Sequence, residues 1–285
     1  MPILETATGR LSYFDNDCVE ADAPQLLLLH SSAASHRQWR PLIAALGRGW
    51  HIVAPDLIGH GETPMPDHGK PTLEEEIARL TALLERMDGP VHLVGHSYGG
   101  AIALELAGRQ PQRIASLAMY EPVAFGLLRD SSQRDAWREI ALVAQRHIDL
   151  VASGDPRTAA IAFLDYWVGP AALLAMPEPM QAYVTGCMTA VASEFRELLQ
   201  PGRAVPADLK SLTMPVLLLC GTETTLAARG VVAELRQYLA AARVIELPGA
   251  GHMAPLLQPD LVNPVLADFL DIAAQITKRS LRRAG

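Results

Sequence analysis

Ser97 sits at the centre of Gly95-His96-Ser97-Tyr98-Gly99. This segment lies directly after the apolar run Pro90-Val91-His92-Leu93-Val94 and before Gly100-Ala101-Ile102-Ala103-Leu104-Glu105-Leu106-Ala107. The spacing is G-x-S-x-G, in which a serine occupies a sharp strand-to-helix turn. Glycines two positions to either side remove Cβ atoms that would clash as the chain turns. The turn is expected to lift the Ser97 hydroxyl above a sheet edge and to start a helix beneath it. The Tyr98 N–H, in the first turn of that helix, would face an oxyanion formed when Ser97 attacks a carbonyl. The competing reading is an ordinary glycine turn; the strand-like and helix-like flanks argue against it.

A serine hydroxyl is a poor nucleophile at neutral pH and needs a base within hydrogen-bond reach. Of nine histidines, His252 in Gly249-Ala250-Gly251-His252-Met253 follows the last strand-like segment. In a parallel sheet the loops after the strands share one edge, so His252 is expected beside Ser97. The competing reading for it is a satisfied structural histidine. His96 is expected to point away from the serine into the core. His30, His60 and His92 are expected to hydrogen-bond loops or backbone.

The elements that must position these groups alternate along the chain. Leu11–Phe14, Gln25–Leu29, His51–Ala54, Pro90–Val94 and Ile114–Tyr120 read as strands, with helices over Trp39–Leu46, Thr72–Met87 and after Ser97. Thr72 and Glu75 have capping-box spacing. From Pro122 to Leu212 the periodicity is helical and no strand is expected, with helices over Trp137–Val151, Arg157–Trp167 and Pro179–Leu199. Alternation resumes with strands at Pro215–Cys220 and Arg243–Leu247 and helices at Leu226–Leu239 and Leu261–Ile276. Strands alternating with helices imply a parallel sheet covered on both faces. A helical block interrupting that series suggests a cap over the carboxyl edge of the sheet, where such folds bind ligands. Trp167, Met176, Met180, Tyr183 and Met188 would either line a pocket there or pack the cap onto the body.

The chain of 285 residues is long enough for one large domain or a domain with an insertion. A net charge of −7 gives no electrostatic case for nucleic-acid binding. No apolar run is long enough for a membrane span, and Met1–Thr6 lacks a basic region followed by an apolar core, so no signal peptide is expected. Cys18, Cys187 and Cys220 are odd in number and far apart, and read as reduced thiols of a cytoplasmic protein. The basic stretch Lys278–Arg283 reads as a solvated, frayed helix end. No metal-ligand spacing or cofactor motif is present, so no cofactor is expected and the partner is a small-molecule substrate. Oligomeric state is not readable.

Over nearly its whole length the sequence resembles the α/β-hydrolase superfamily, of the serine-hydrolase type with a helical cap. The resemblance rests on His30-Ser31-Ser32 with Trp39 nine residues on, on Pro55-Asp56-Leu57-Ile58-Gly59-His60-Gly61, on the Ser97 turn, and on Gly251-His252. It implies an α/β fold with a mostly parallel eight-stranded sheet, helices on both faces and an inserted helical cap. The core would be 1–121 with 213–285 and the cap 122–212. It also implies a second oxyanion donor in the loop after the third strand, at the N–H of Ser32, with Ser31 the second choice. Asp56 and Gly59-His60-Gly61 read as a structural turn.

The acid departs from the family's pattern. Members usually carry Gly-x-x-Asp after the strand that follows the cap, and here that segment is Gly221-Thr222-Glu223-Thr224. Three readings compete. The preferred acid is Glu121, at the carboxyl end of the Ile114–Tyr120 strand, as in relatives whose acid has moved to that strand. The alternative acid is Glu223, one residue early and longer than aspartate. In the third there is no acid, and catalysis is weak or absent. The resemblance implies a serine hydrolase using Ser97, His252 and Glu121 on a small or medium ester, thioester or lactone, or on a ketone cleaved at a C–C bond. Serine in the turn argues against haloalkane dehalogenase and epoxide hydrolase chemistry, for which relatives use aspartate there. The contrasting reading is a non-hydrolytic protein of the same fold: a ligand-binding module, or a cofactor-free lyase or oxygenase.

Overall fold

The computed structural model describes residues 1–20, 22–200, 209 and 212–284, with side chains through Ser280. Its centre is an eight-stranded sheet of β1 (Ile3–Thr6), β2 (Gly9–Asp15), β3 (Gln25–Leu29), β4 (His51–Pro55), β5 (Val91–His96), β6 (Ile114–Tyr120), β7 (Val216–Gly221) and β8 (Arg243–Leu247). The spatial order is β1-β2-β4-β3-β5-β6-β7-β8. The pairs β1–β2 and β2–β4 are antiparallel, and every other neighbouring pair is parallel. Apart from the edge strand β8, the parallel strands are apolar nearly throughout because both faces are covered.

The leucine run of β3 shows how alternation divides the core. Leu27 and Leu29 belong to one buried cluster with Leu93, Leu117 and Leu218. Leu26 and Leu28 belong to the other, with Val94, Ala118, Leu217 and Leu219. The first cluster is covered by α2 (Leu73–Leu84), α3 (Tyr98–Arg109) and α7 (Leu226–Tyr238), and the second by α1 (Arg40–Leu46) and α9 (Pro259–Ala284). The short helix α8 (Ala254–Leu257) follows His252.

Between β6 and β7 the described residues contain α4 (Arg134–Ala152), α5 (Pro156–Trp167) and α6 (Glu178–Leu198) and no strand. The expected end of the helical block, near Leu212, falls largely on residues outside those described. The Thr72 capping box forms in both directions, Thr72 Oγ1 accepting from the Glu75 N–H and the Glu75 carboxylate from the Thr72 N–H. Strand β1 was not expected: four residues with one fully buried side chain carry too little alternation to read. The buried Arg79 on α2 holds the hairpin in place, donating to the carbonyls of Thr8 at 2.6 Å and Arg10 at 2.8 Å. The last helix also starts earlier and runs further than expected, with Pro264 inside it.

The glycines of the Ser97 turn are required by close approach of backbone. A Cβ on Gly99 would lie 2.4 Å from the carbonyl oxygens of both Leu29 and His30, and one on Gly95 would lie 2.4 Å from that of Gly99. By contrast, Gly186 is an exposed position inside α6 where a Cβ meets nothing within 4 Å. Gly99→Ala is therefore expected to cost about 3 kcal/mol or more, and Gly186→Ala to gain about 0.5–1 kcal/mol. Denaturant midpoints of the two variants check the opposite signs.

Candidate active site

Strand register brings Ser97 and Glu121 to one level. His96, the last residue of β5, pairs with Tyr120, the last of β6, and Tyr120 pairs with Leu219 on β7. Each strand then leaves the sheet through a residue with left-handed backbone, Ser97 at φ 55° and Glu121 at φ 43°. Such angles are uncommon for residues with a Cβ and cost free energy that the surroundings must offset. Here backbone bonds on both sides impose them. The Ser97 N–H donates to the Tyr120 carbonyl at 3.0 Å, the Glu121 N–H to that of Leu219 at 3.0 Å, and the Val123 N–H to that of Ser97 at 3.2 Å.

His252 arrives in the loop after β8. Its Nδ1 lies 2.7 Å from Glu121 Oε2 and its Nε2 lies 2.9 Å from Ser97 Oγ. A carboxylate facing Nδ1 makes that nitrogen the donor, so Nε2 presents its lone pair to the serine hydroxyl. All three side chains are buried, with Glu121 0% exposed, His252 2% and Ser97 5%. The imidazole is held from behind. His96 Nε2 donates to the His252 carbonyl at 2.8 Å, and the Tyr120 hydroxyl to the Gly251 carbonyl at 2.7 Å. His96 thus sits in the core as expected and supports the loop as well. Burial keeps it well below the usual histidine range, so it is neutral.

The Glu121 carboxylate is satisfied on both oxygens. Oε1 accepts from the Gly221 N–H at 2.7 Å, and Oε2 accepts from the Thr224 hydroxyl at 2.5 Å as well as from His252. Thr224, at the family's usual acid position, thus holds the carboxylate that faces His252. Glu223 is exposed and is not the partner of the His252 ring.

Two backbone N–H groups in the segments next to Ser97 were expected as donors to this site. Tyr98 is the first residue of α3, where an N–H has no acceptor within the helix. Of the two candidates after β3, the Ser31 N–H is taken up by Gln38 Oε1 at 3.2 Å. Among the described residues no hydrogen bond takes up the N–H of Ser32 or Tyr98. The Asp56 segment is a structural turn: its buried carboxylate accepts from the His36 N–H and ring at 2.8 Å each and from the Glu62 N–H at 2.9 Å.

A cavity opens on Ser97 between the sheet edge and the helices of 122–200. Val123, Phe125, Phe163, Trp167, Phe195 and Leu198 form its apolar wall, and Ser32 and Glu194 add polar groups. Of the aromatic and methionine residues between β6 and β7 singled out in the sequence, Trp167 alone is among the cavity-lining residues. Its ring stacks on that of His252, with centroids 4.0 Å apart and planes 30° from parallel. Met188 is fully buried and Met180 is 49% exposed. Tyr183 ties α6 to the core, donating to the Ala34 carbonyl at 2.5 Å and accepting from the Gly61 N–H at 3.0 Å. Glu194, Gln38 and the Trp167 stack do not follow from the sequence pattern. Glu194 alone had a visible signal, a carboxylate among the apolar positions of an amphipathic helix. Among the described residues no cluster of His, Cys, Asp or Glu is arranged for a metal, and no helix is long and apolar enough to cross a membrane.

Comparison with known proteins agrees with this architecture. A family model described as "Alpha/beta hydrolase family" matches residues 26–265. The chain is similar to the lipase LipV of Mycobacterium tuberculosis, 41% identical over 87 residues that cover 27% of this chain and 33% of the lipase. It is 34% identical to a haloalkane dehalogenase of Mesorhizobium japonicum over 146 residues, 49% of this chain and 44% of that protein. The chain thus spans less than half the length of either relative. Among solved structures, the enol-lactonase from Burkholderia xenovorans LB400 superposes with a TM-score of 0.75 at 22% identity, covering 95% of this chain and 100% of that one. The chain belongs to the α/β-hydrolase family of enzymes.

Proposed function

We propose that the protein is a serine hydrolase working through an acyl-enzyme with a Ser97-His252-Glu121 triad. The observation that carries the reading is the unbroken buried chain from Ser97 Oγ through the His252 ring to the Glu121 carboxylate, with contacts of 2.9 Å and 2.7 Å. In the proposed reaction Ser97 Oγ attacks the substrate carbonyl carbon while His252 Nε2 takes the hydroxyl proton. The tetrahedral oxyanion accepts from the N–H groups of Tyr98 and Ser32. Collapse expels the leaving group, which takes the proton from His252, and leaves Ser97 acylated. Water, deprotonated by the same nitrogen, then releases the acid and restores the serine. Glu121 keeps Nδ1 protonated and stabilises the imidazolium that forms in each half. Residues 1–121 and 213–285 form the catalytic core on this reading, and 122–212 the cap that shapes the pocket.

The apolar wall of Val123, Phe125, Phe163 and Phe195 suits an uncharged acyl group on a small or medium ester, thioester or lactone, or a ketone cleaved at a C–C bond. Support for the class also comes from relatives that bear the names of a lipase and of an enol-lactonase. Serine rather than aspartate in the turn weighs against the halide chemistry named for the dehalogenase relative.

A fluorophosphonate probe should label the wild-type protein at Ser97 and leave Ser97→Ala unlabelled. Failure of the wild type to react under conditions that label a control hydrolase would reject the reading in favour of a non-hydrolytic member of the fold. In turnover of a nitrophenyl ester, Glu121→Gln should reduce kcat by on the order of 10⁴-fold by imposing the wrong imidazole tautomer. Glu223→Gln should remain within a few-fold of wild type, and the reverse ranking would move the acid to Glu223.

A further inference from the structure

Glu194 of α6 is a carboxyl group 95% removed from solvent, facing the cavity above Ser97, with no lysine or arginine among the groups that act on it. One oxygen, Oε2, accepts from the Ser32 hydroxyl. The other, Oε1, faces His60 Nε2 at 3.4 Å, and neither atom has a conventional hydrogen-bond partner if the carboxyl is ionised. The state of His60 follows from its other nitrogen. Nδ1 lies 3.0 Å from the Ile58 carbonyl, which can only accept, so Nδ1 carries the proton and Nε2 offers a lone pair. An ionised Glu194 would set lone pair against lone pair in a site closed to water. A neutral Glu194 with its proton on Oε1 turns the same approach into a long O–H···N bond. A His60 imidazolium would also fit this contact, but the ring is buried and held neutral, which leaves the carboxylic acid as the form that suits the site.

The geometry points to Glu194 as a positioning residue for hydrolysis: as a neutral acid it ties the Ser32 loop, through Ser32 Oγ, and the turn after β4, through His60 Nε2, to the cap, and its ionisation breaks the His60 link and sets a negative charge beside the developing oxyanion. This deepens the serine-hydrolase reading and rests on it. Ser32 carries both the hydroxyl that Glu194 holds and the N–H proposed for the oxyanion, so one carboxyl acts on the donor through its own residue. Helix α6 grips the same loop at a second point, where Tyr183 donates to the Ala34 carbonyl.

Electrostatics agree with the geometry. Burial pushes the Glu194 carboxyl up to about 8, opposed by the Ser32 hydroxyl and reinforced by Glu76. Burial holds His60 down to about 3, so the imidazole does not supply a charge. The other groups coupled to Glu194 are Tyr98 on α3, raised well above its usual range, Cys187 on α6, pushed up to about 12, and Glu76 on α2, pushed up to about 7. Glu76 accepts from the Ile58 N–H at 3.1 Å and is the one neighbour that titrates close to Glu194.

The test is the pH profile of kcat/KM for a neutral nitrophenyl ester. Wild type should lose activity above about pH 8 as Glu194 ionises. Glu194→Leu should fall about tenfold or more below wild type at neutral pH, because Ser32 and His60 lose their partner. Glu194→Gln, a permanent mimic of the neutral acid, should recover most of that loss and lack the alkaline limb, while Glu76→Gln keeps the limb. A limb retained in Glu194→Gln, or one abolished by Glu76→Gln alone, overturns the proposal. Thermal melting gives a readout that does not need catalysis. In the unfolded chain Glu194 ionises near its ordinary value of 4.5, whereas the folded protein holds the proton up to about 8. Between those values the folded state binds more protons, so Glu194 makes the protein less stable as pH rises. The melting temperature of Glu194→Gln should gain on wild type from about pH 5 to about pH 8. A constant difference means Glu194 is ionised throughout and overturns the proposal. A wild type that neither reacts with the fluorophosphonate nor turns over esters rejects the hydrolase reading instead, and with it the positioning role.

Discussion

A carboxylate removed from water is tolerable only where its charge is answered on every side, and the Glu121 carboxylate is the point on which the proposed site depends. It is fully buried and accepts hydrogen bonds from the Gly221 N–H, the Thr224 hydroxyl and the His252 ring. Removing one partner of such a group leaves an uncompensated buried charge, which is far costlier than the pair was worth. The ends of β6, β7 and β8 must therefore stay in register with one another, since each supplies part of the cradle. The left-handed backbone at Glu121 is a consequence of the same demand. It turns the side chain from the end of β6 across to the end of β7, where an extended residue would have continued along the sheet.

The serine side of the site is set by a different constraint, the close approach of three backbone segments. Gly95 and Gly99 allow β5, α3 and the end of β3 to meet with no room for a methyl group. That contact places the start of α3 against the end of β3, and the N–H groups of Ser32 and Tyr98 near it have no acceptor among the described residues. The segment between β6 and β7 closes the space above with the rings of Phe125, Phe163, Trp167 and Phe195. In such a water-poor cavity fixed dipoles act more strongly than in water, and an unpaired charge is correspondingly harmful. This is why the protonation state of Glu194, wedged between Ser32 and His60, matters to the proposed chemistry.

The sheet was legible because its strands are buried on both faces. Runs such as Gln25–Leu29 and Ile114–Tyr120 matched the observed elements end to end, bounded by clear loop residues, and so did the more exposed edge strand Arg243–Leu247. The short, half-exposed β1 was not legible, because its position is secured by Arg79 from seventy residues away in sequence. Ser97 and His252 could be read from spacing and position along the chain. The juxtaposition of Glu121 with His252 could be ranked above Glu223 from strand order but not measured. The pairings of Glu194 with Ser32, of Gln38 with His96 and of the Trp167 ring with His252 were not legible, for a physical reason: they join elements 58 to 162 residues apart, and no local period records which face of a helix between β6 and β7 turns toward the sheet.

The proposed chemistry turns on one proton. If the buried Glu121 carboxylate governs His252, the ring rests as the tautomer protonated on Nδ1, leaving the Nε2 lone pair toward Ser97. Nitrogen-15 chemical shifts of the His252 ring in histidine-labelled protein at neutral pH report this directly. The expected result is a protonated Nδ1 and an unprotonated Nε2 in the wild type, with the preference lost in Glu121→Ala. A ring protonated on Nε2 in the wild type, or a tautomer indifferent to the loss of Glu121, would contradict the account.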